Sequence, residues 1–165
     1  MKPETITKQI FKIIPALLLV ALSAFLLQGD VWTFWTWYLL ALVLGAAAMP
    51  LTGRLFRRFQ DRGWMFSKVT AIAVSGFLTW FLVAVKIIKF TTMTCIVVTL
   101  VCAAASLILY CREQKAGFEC IPFAHLDLVY AEELLFFAAF LLWTYFAGFH
   151  PAAYGTEKFM DYGFM

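Results

Sequence analysis

Two carboxylates near the C-terminal end of the sequence have a spacing that chemistry could use. Glu157 and Asp161 are four residues apart, so a short helix with Thr156 as its N-cap would place both on one face. Such a pair can hold a divalent cation, because hard cations prefer oxygen ligands, or one member can act as general base on an acceptor hydroxyl. By spacing alone, an ordinary solvated acidic face with Lys158 as a local partner is clearly favoured over either role. A short helix is predicted here, with its chemistry left open.

A second group of charged residues surrounds a bend after Pro50. Between residues 51 and 61 the apolar side chains fall on one helical face and the charged side chains on the other. This pattern predicts an amphipathic helix in the plane of the membrane interface, with its arginines on anionic headgroups. The arginines assigned to that contact are Arg54, Arg57, Arg58 and Arg62. They fit either a docking site for a lipid-linked phosphate or an ordinary membrane anchor, and the sequence alone favours the anchor.

The other reactive residue types indicate no site. Cys111 and Cys120 are nine residues apart, which matches no zinc-binding pattern. Glu132 and Glu133 begin the last apolar stretch, where acidic side chains complement the positive end of a helix dipole.

The composition explains why so little soluble-enzyme chemistry is visible. Hydrophobic residues make up 64% of the 165 residues, charged residues make up 14%, and the mean hydropathy is +0.86. Soluble domains average about 45–50% apolar and about 25% charged residues. The composition excludes an ordinary soluble enzyme, a disordered tail and a nucleic-acid-binding module. The sequence predicts an integral membrane protein whose partner is the lipid bilayer.

Apolar stretches give the fold class. A helix that crosses a bilayer needs about 20 mostly apolar residues, and backbone groups in lipid must be satisfied within the segment. The predicted spans lie near 11–27, 31–50, 66–85, 93–110 and 134–148. None has a charged residue at its centre, which argues against a transporter. We expect a single all-α, polytopic transmembrane helix bundle of about five spans over 1–165, with an interfacial amphipathic helix and a short outer-face helix.

Basic residues predict the orientation. With the N-terminus inside, ten of the thirteen Lys and Arg residues fall in cytoplasmic segments and three in outer segments. This bias predicts a multi-pass protein of the plasma membrane with its N-terminus inside and its C-terminal segment outside. The Glu157 and Asp161 pair would then lie at the outer face.

Several segments carry a resemblance to a known family. They are residues 50–54, 61–68, 132–136 and 155–162, together with Trp143 and Pro151. These segments resemble the N-terminal part of the YYY-domain membrane protein family, a multi-pass family of bacteria and archaea. Its members are several times longer, and its Tyr-Tyr-Tyr motif is absent here. We therefore expect this chain to be the N-terminal part of a longer protein.

The resemblance implies a function. Such proteins are similar in layout to GT-C glycosyltransferases, polytopic enzymes that use polyprenyl-phosphate-linked sugars, in which an acidic residue of an early outer loop acts as base or metal ligand. The likeness implies sugar transfer at the outer membrane face, with Asp161 as the first candidate for that residue and Glu157 as the second. A divalent cation and a polyprenyl-phosphate sugar donor are the cofactor and partner that it implies. The alternative is a non-catalytic membrane protein that acts as a scaffold or binds or flips lipid, in which the arginines matter more than the carboxylates.

Overall fold

Helices occupy nearly all of the chain that the computed structural model describes, which is residues 3–117 and 123–148, with side chains from Ile13 onward. The α-helices are α1 (Pro3–Leu27), α2 (Val31–Leu55), α3 (Trp64–Ala84), α4 (Thr92–Lys115) and α5 (Leu126–Gly148). One-turn 3₁₀ helices at Gln28–Asp30 and Phe123–His125 precede α2 and α5, and the described ranges contain no β-strand. The predicted all-α class is confirmed.

Three stretches of the described residues are long and apolar enough to cross a bilayer. They are residues 13–55, Trp64–Ala84 and Thr92–Lys115. The first contains most of α1, the 3₁₀ turn and all of α2, and the backbone at Gln28 leaves the right-handed helical region with φ +43°. Candidate membrane-spanning helices are thus present in the described residues, whereas the predicted count of about five spans is not confirmed.

Large apolar side chains cover the outside of these helices. Leu17, Trp80 and Leu100 are each more than 60% exposed, and many others are exposed to a similar degree. Soluble monomers rarely expose apolar patches of more than a few hundred Å², so a surface of this kind indicates lipid contact. Hydroxyl groups within the spans bond to their own helix instead. Thr79 Oγ1 and Thr99 Oγ1 each donate to the carbonyl four residues earlier, at 2.8 Å.

The chain divides into two compact units. The terminal unit comprises residues up to Phe34 and from Phe137 onward, and the central unit is Trp35–Phe136. In the terminal unit, Phe34 at the start of α2 is buried against two rings of α5. Its ring centroid lies 5.4 Å from that of Phe137, edge to face, and 5.2 Å from that of Phe140. Both are favourable aromatic geometries.

Small residues let α2 and α3 approach closely in the central unit. Thr52 and Ser67 are fully buried, and a Cβ on Gly45 would lie 2.7 Å from Lys68 Cγ and 2.9 Å from Ser67 Oγ. Without a hydrophobic driving force between helices in lipid, packing of this kind is what holds them together. Gly45 therefore makes room for the lysine side chain opposite it.

The amphipathic helix predicted over residues 51–61 is not a separate helix. Residues 51–55 form the last turn of α2, which continues through Pro50, and residues 56–63 form hydrogen-bonded turns. Arg62 and Gly63 have φ of +54° and +77°, which a helix cannot continue through. Asp61, assigned to the polar face, is only 6% exposed. Periodicity alone did not show that this segment folds back on the bundle.

Contacts across the central unit place two connections at the same end. Arg54 and Arg57, at the end of α2, pair with Glu113 near the end of α4. The α3–α4 connection, with Lys86 and Lys89, follows the far end of α3. This arrangement agrees with the predicted placement of segments 51–63 and 111–133 on one side of the membrane. Which side is cytoplasmic stays a prediction.

Replacing Gly63 by alanine tests the turn before α3. An L-residue at this φ costs about 1–2 kcal/mol, and the new Cβ would lie 2.6 Å from Phe56 Cδ2. Gly117 has the same φ of +77° with nothing within 4 Å of its Cβ position, so it is the matched control. We expect Gly63→Ala to lower the free energy of unfolding in detergent micelles by about 1 kcal/mol or more beyond Gly117→Ala. Equal losses would show that contact with Phe56 does not constrain the turn.

Candidate functional site: a buried polar cluster and an apolar groove

A lysine is buried near the start of α3. The side chain of Lys68 is 3% exposed, and its Nζ lies 2.6 Å from Oε2 of Glu133 in α5, whose side chain is 17% exposed. A buried charge without a partner costs several kcal/mol, so each of these ions depends on the other. The pair joins residues 65 positions apart in the sequence.

Two further donors reach the Glu133 carboxylate. The Tyr38 hydroxyl donates to Oε1 at 2.7 Å, and the Trp64 indole Nε1 donates to Oε2 at 2.9 Å. Hydrogen bonds to an ionised acceptor are roughly twice as strong as those between neutral groups. Glu133 therefore ties α5 to α2 through Tyr38 and to α3 through Trp64 and Lys68.

Aromatic rings complete the surroundings of the lysine. Its Nζ lies 4.7 Å from the centroid of a Trp64 ring and 4.5 Å from the centroid of the Phe136 ring. Both distances are within the range for cation–π attraction, which is stronger in a desolvated site. The ammonium is held by one carboxylate and two ring faces.

A pair of carboxyl groups lies beside this ion pair. Asp61, in the 56–63 turn, lies beside Glu132 of α5, just before the predicted span 134–148. Burial, and then the charge and hydrogen bond of Asp61, raise the pKa of Glu132, whereas Lys68 lowers it. Glu132 Oε2 is buried with no hydrogen-bond partner among the described residues.

The cluster can do two things chemically. It fastens three helices at one end of the central unit, and it brings the carboxyl groups of Asp61 and Glu132 together, which favours the protonated form of Glu132. It offers no free nucleophile, because the Lys68 amine is paired.

Sequence reasoning did not find this cluster. Glu132 and Glu133 were interpreted as helix-dipole partners, and Lys68 was counted only for orientation. A lysine inside the apolar run 64–84 is the signal that would have found it, since an ionisable residue within a membrane span requires a partner.

The predicted headgroup arginines lie at the same end. Arg54 Nη1 is 3.1 Å from Glu113 Oε1, and Arg57 Nη2 is 3.0 Å from Glu113 Oε2. Both arginines are about half exposed, so these pairs contribute about 0–1 kcal/mol each. Arg62 Nη1 donates to the Arg57 carbonyl at 2.6 Å, and Arg58 is exposed. Headgroup contact by the four stays a prediction.

An apolar groove of about 340 Å³ runs between α2, α3 and α4. Its volume lies within the 300–1,000 Å³ typical of small-molecule sites. Its lining includes Leu51 of α2, Leu78 of α3, and Cys102, Ala103, Ser106 and Leu109 of α4. The groove was not foreseen from the sequence, because it depends on how three helices pack.

The predicted catalytic pair, Glu157 and Asp161, lies outside the described residues, so its geometry and the predicted short helix stay predictions. In residues 3–117 and 123–148, no group of three His, Cys, Asp or Glu side chains is arranged to hold a metal ion.

Comparison with known families identifies the family of this chain. Residues 74–165, more than half of the sequence, match the family described as uncharacterized membrane protein, DUF2298. The chain belongs to the DUF2298 family. No curated protein and no solved structure matches it. DUF2298 membership bears out a multi-pass membrane family but does not show the YYY-domain or GT-C likeness, and it names no activity, so glycosyltransferase chemistry stays a prediction.

The matched range of this DUF2298 protein takes in Glu132 and Glu133 of the cluster, and also Glu157 and Asp161. It begins after Lys68, Trp64 and the arginines at the end of α2.

Removing the Glu133 charge should leave Lys68 buried without a counterion. We expect Glu133→Gln to lower the free energy of unfolding in detergent micelles by about 3–5 kcal/mol. The double variant Lys68→Met with Glu133→Gln buries no charge, so it should regain most of that loss. The control Glu113→Gln, at the exposed arginine pairs, should cost about 1 kcal/mol or less. Single-variant losses that simply add in the double variant would exclude coupling between Lys68 and Glu133.

The Asp61–Glu132 pair predicts a pH dependence of stability. Because the folded-state pKa of Glu132 is raised, its contribution is fully present below the ordinary glutamate pKa of about 4.3 and is lost as pH rises through the folded-state pKa. Glu132→Gln keeps a donor toward Asp61 and has no titrating group, so it should remove this part of the slope. The measurement is unfolding free energy from pH 4 upward, with Glu113→Gln as a carboxylate control outside the pair. If the slope of the unfolding free energy against pH were the same in Glu132→Gln as in the wild type, the raised pKa of Glu132 would be contradicted.

Proposed function

We propose that this chain is the N-terminal membrane region of a GT-C-like glycosyltransferase of the plasma membrane, which transfers a sugar from a polyprenyl-phosphate donor at the outer face. The observation that carries the proposal is the placement of helix ends. It supports the position of the segment with Glu157 and Asp161 on the face where transfer occurs.

Two contacts define one end of the central unit. The pairs of Arg54 and Arg57 with Glu113 bring together the connections after α2 and α4, and Asp61 contacts Glu132 near the start of α5. This end is rich in arginine, and Lys and Arg collect on the cytoplasmic side of membranes. We therefore assign it to the inner face.

The length of α5 carries the chain away from that end. From Glu132 to Gly148, α5 advances 16 residues, which correspond to about 24 Å at 1.5 Å per residue, most of the thickness of a bilayer core of about 30 Å. We therefore assign the Gly148 end of α5, which contains the predicted span 134–148, to the side opposite to the arginine-rich end. In this orientation Glu157 and Asp161 belong to the outer side.

Asp161 is the group to which we assign the chemistry. As a carboxylate it can accept the proton of an acceptor hydroxyl while that oxygen attacks the sugar carbon that carries the phosphate. Glu157 and Asp161 offer the oxygen ligands that a divalent cation prefers, and such a cation would neutralise charge on the departing phosphate.

The test is sugar transfer by the protein in membranes, followed with radiolabelled polyprenyl-phosphate sugars. We expect Asp161→Asn to lower the rate at least ~100-fold, the loss typical for a general base, and Glu157→Gln to lower it less. Asp30→Asn is the control, because Asp30 is an exposed acid in the α1–α2 turn on the predicted outer side. Normal transfer by Asp161→Asn would remove this residue from the mechanism, and no transfer by wild type with any such donor would contradict the proposed function.

One observation favours the non-catalytic alternative, a scaffold or lipid-binding protein. Arginines Arg54 and Arg57 remain about half exposed beside the apolar groove. Under this alternative, charge reversal at the arginines would impair the protein's cellular role, and Asp161→Asn would be silent.

A further inference from the structure

The groove between α2, α3 and α4 continues along the bundle. A second apolar cavity of about 450 Å³ shares Leu78 and Cys102 with it and reaches Ile88 and Met93 near the α3–α4 connection. From Thr70 to Leu82, the lining residues of α3 cover about 18 Å at 1.5 Å per residue. One leaflet of a bilayer core is about 15 Å thick, so this length suits one acyl chain.

The arginine pairs lie directly beyond one end of the groove. Leu51 lines the groove three residues before Arg54, and Leu109 lines it four residues before Glu113. Residues three or four apart share a helix face, so the Arg54–Glu113 contact lies about one turn beyond the lining on both helices. Basic side chains outnumber acidic ones by seven to five among the described residues of this end, which gives it a net positive charge. The basic ones are Arg54, Arg57, Arg58, Arg62, Lys68, Arg112 and Lys115, and the acidic ones are Asp61, Glu113, Asp127, Glu132 and Glu133.

The guanidinium of Arg54 has capacity for an anion. It contacts Glu113 through Nη1, its side chain is 54% exposed, and a guanidinium carries five N–H donors in a planar fork that matches phosphate. The half-exposed arginines complement the headgroup of an anionic lipid, and the apolar groove complements its acyl chain.

From these three features we infer that the groove is a binding site for an anionic phospholipid. One acyl chain lies between α2, α3 and α4, and the phosphate is bound by Arg54 and Arg57. This site lies at the end assigned to the inner face, away from the predicted donor chemistry at Asp161. Its test needs no transferase activity, so failure of the lipid site can be distinguished from failure of the proposed sugar transfer.

Native cysteines give a test on the unaltered protein. Cys102 lines both cavities, whereas Cys111 is exposed and Cys95 lines neither cavity. The purified chain in detergent is alkylated with an apolar maleimide, with and without phosphatidylglycerol, and each thiol is followed by peptide mass spectrometry. We expect phosphatidylglycerol to slow labelling of Cys102 at least tenfold and to leave Cys95 and Cys111 unchanged. Equal rates at Cys102 with and without lipid would overturn the proposal.

Variants test the headgroup and the groove separately. Native mass spectrometry with phosphatidylglycerol and phosphatidylcholine of the same chains should show at least tenfold tighter binding of the anionic lipid. Arg54→Gln with Arg57→Gln should abolish that preference, and Lys86→Gln with Lys89→Gln, at the other end of α3, should keep it. Ala103→Phe fills the groove and should abolish binding, whereas Gly76→Phe adds the same bulk where nothing lies within 4 Å.

Each contrary result has a defined meaning. Equal binding of the two lipids by wild type, or unchanged binding in Ala103→Phe, would overturn the site. An equal loss in Gly76→Phe would show general destabilisation and would also count against it. Thermal unfolding of every variant identifies those that fail to fold, and Cys102 protection in the wild-type chain then decides.

Discussion

A charged amine among apolar helices is the constraint on which the central unit depends. Lys68 is almost fully buried, so its position is tolerable only because Glu133 lies 2.6 Å away and two aromatic rings face it. That requirement fixes the height of α5 against α3, brings Tyr38 and Trp64 to the same carboxylate, and explains why residue 45 has no side chain. The turn before α3 then places Asp61 beside Glu132, whose pKa is raised by burial and by the charge of Asp61.

The fold class follows from composition, because no other arrangement satisfies the backbone of so apolar a chain. Helix positions were also close, as in the span predicted over 93–110 and found within Thr92–Lys115. The error lay at 51–61, where apolar and charged residues alternate with helical period although Arg62 and Gly63 have left-handed φ values. Periodicity records which faces differ in polarity, and it contains no information on where the backbone reverses. Asp61 was therefore placed in solvent when it is buried.

The candidate sites were even harder to predict from the sequence, because they depend on contacts between distant residues. Lys68 and Glu133 are 65 residues apart, and nothing in either local sequence identifies the other as its partner. The arginines were located correctly as a basic group after α2, but their contact with Glu113 and the groove one turn below depend on tertiary packing. The catalytic role of Glu157 and Asp161 rests on the resemblance, since their spacing alone favours a solvated face.

The ion pair also has a consequence for how the protein enters a membrane. A ribosome that adds about 5–20 residues per second makes Glu133 about 3–13 s after Lys68, so α3 leaves the ribosome well before its counterion exists. The free energy of inserting a lysine at the centre of a membrane-spanning helix is about +2.5–3.5 kcal/mol. Lys68 lies in the first turns of α3, so its long side chain can avoid this cost at first by extending toward the interface. Burial of that side chain must wait for α5. Burial of Lys68 and packing of α5 against α3 are thus one coupled event, and a ribosome that stalls between the two helices leaves the Lys68 ammonium at the bilayer interface.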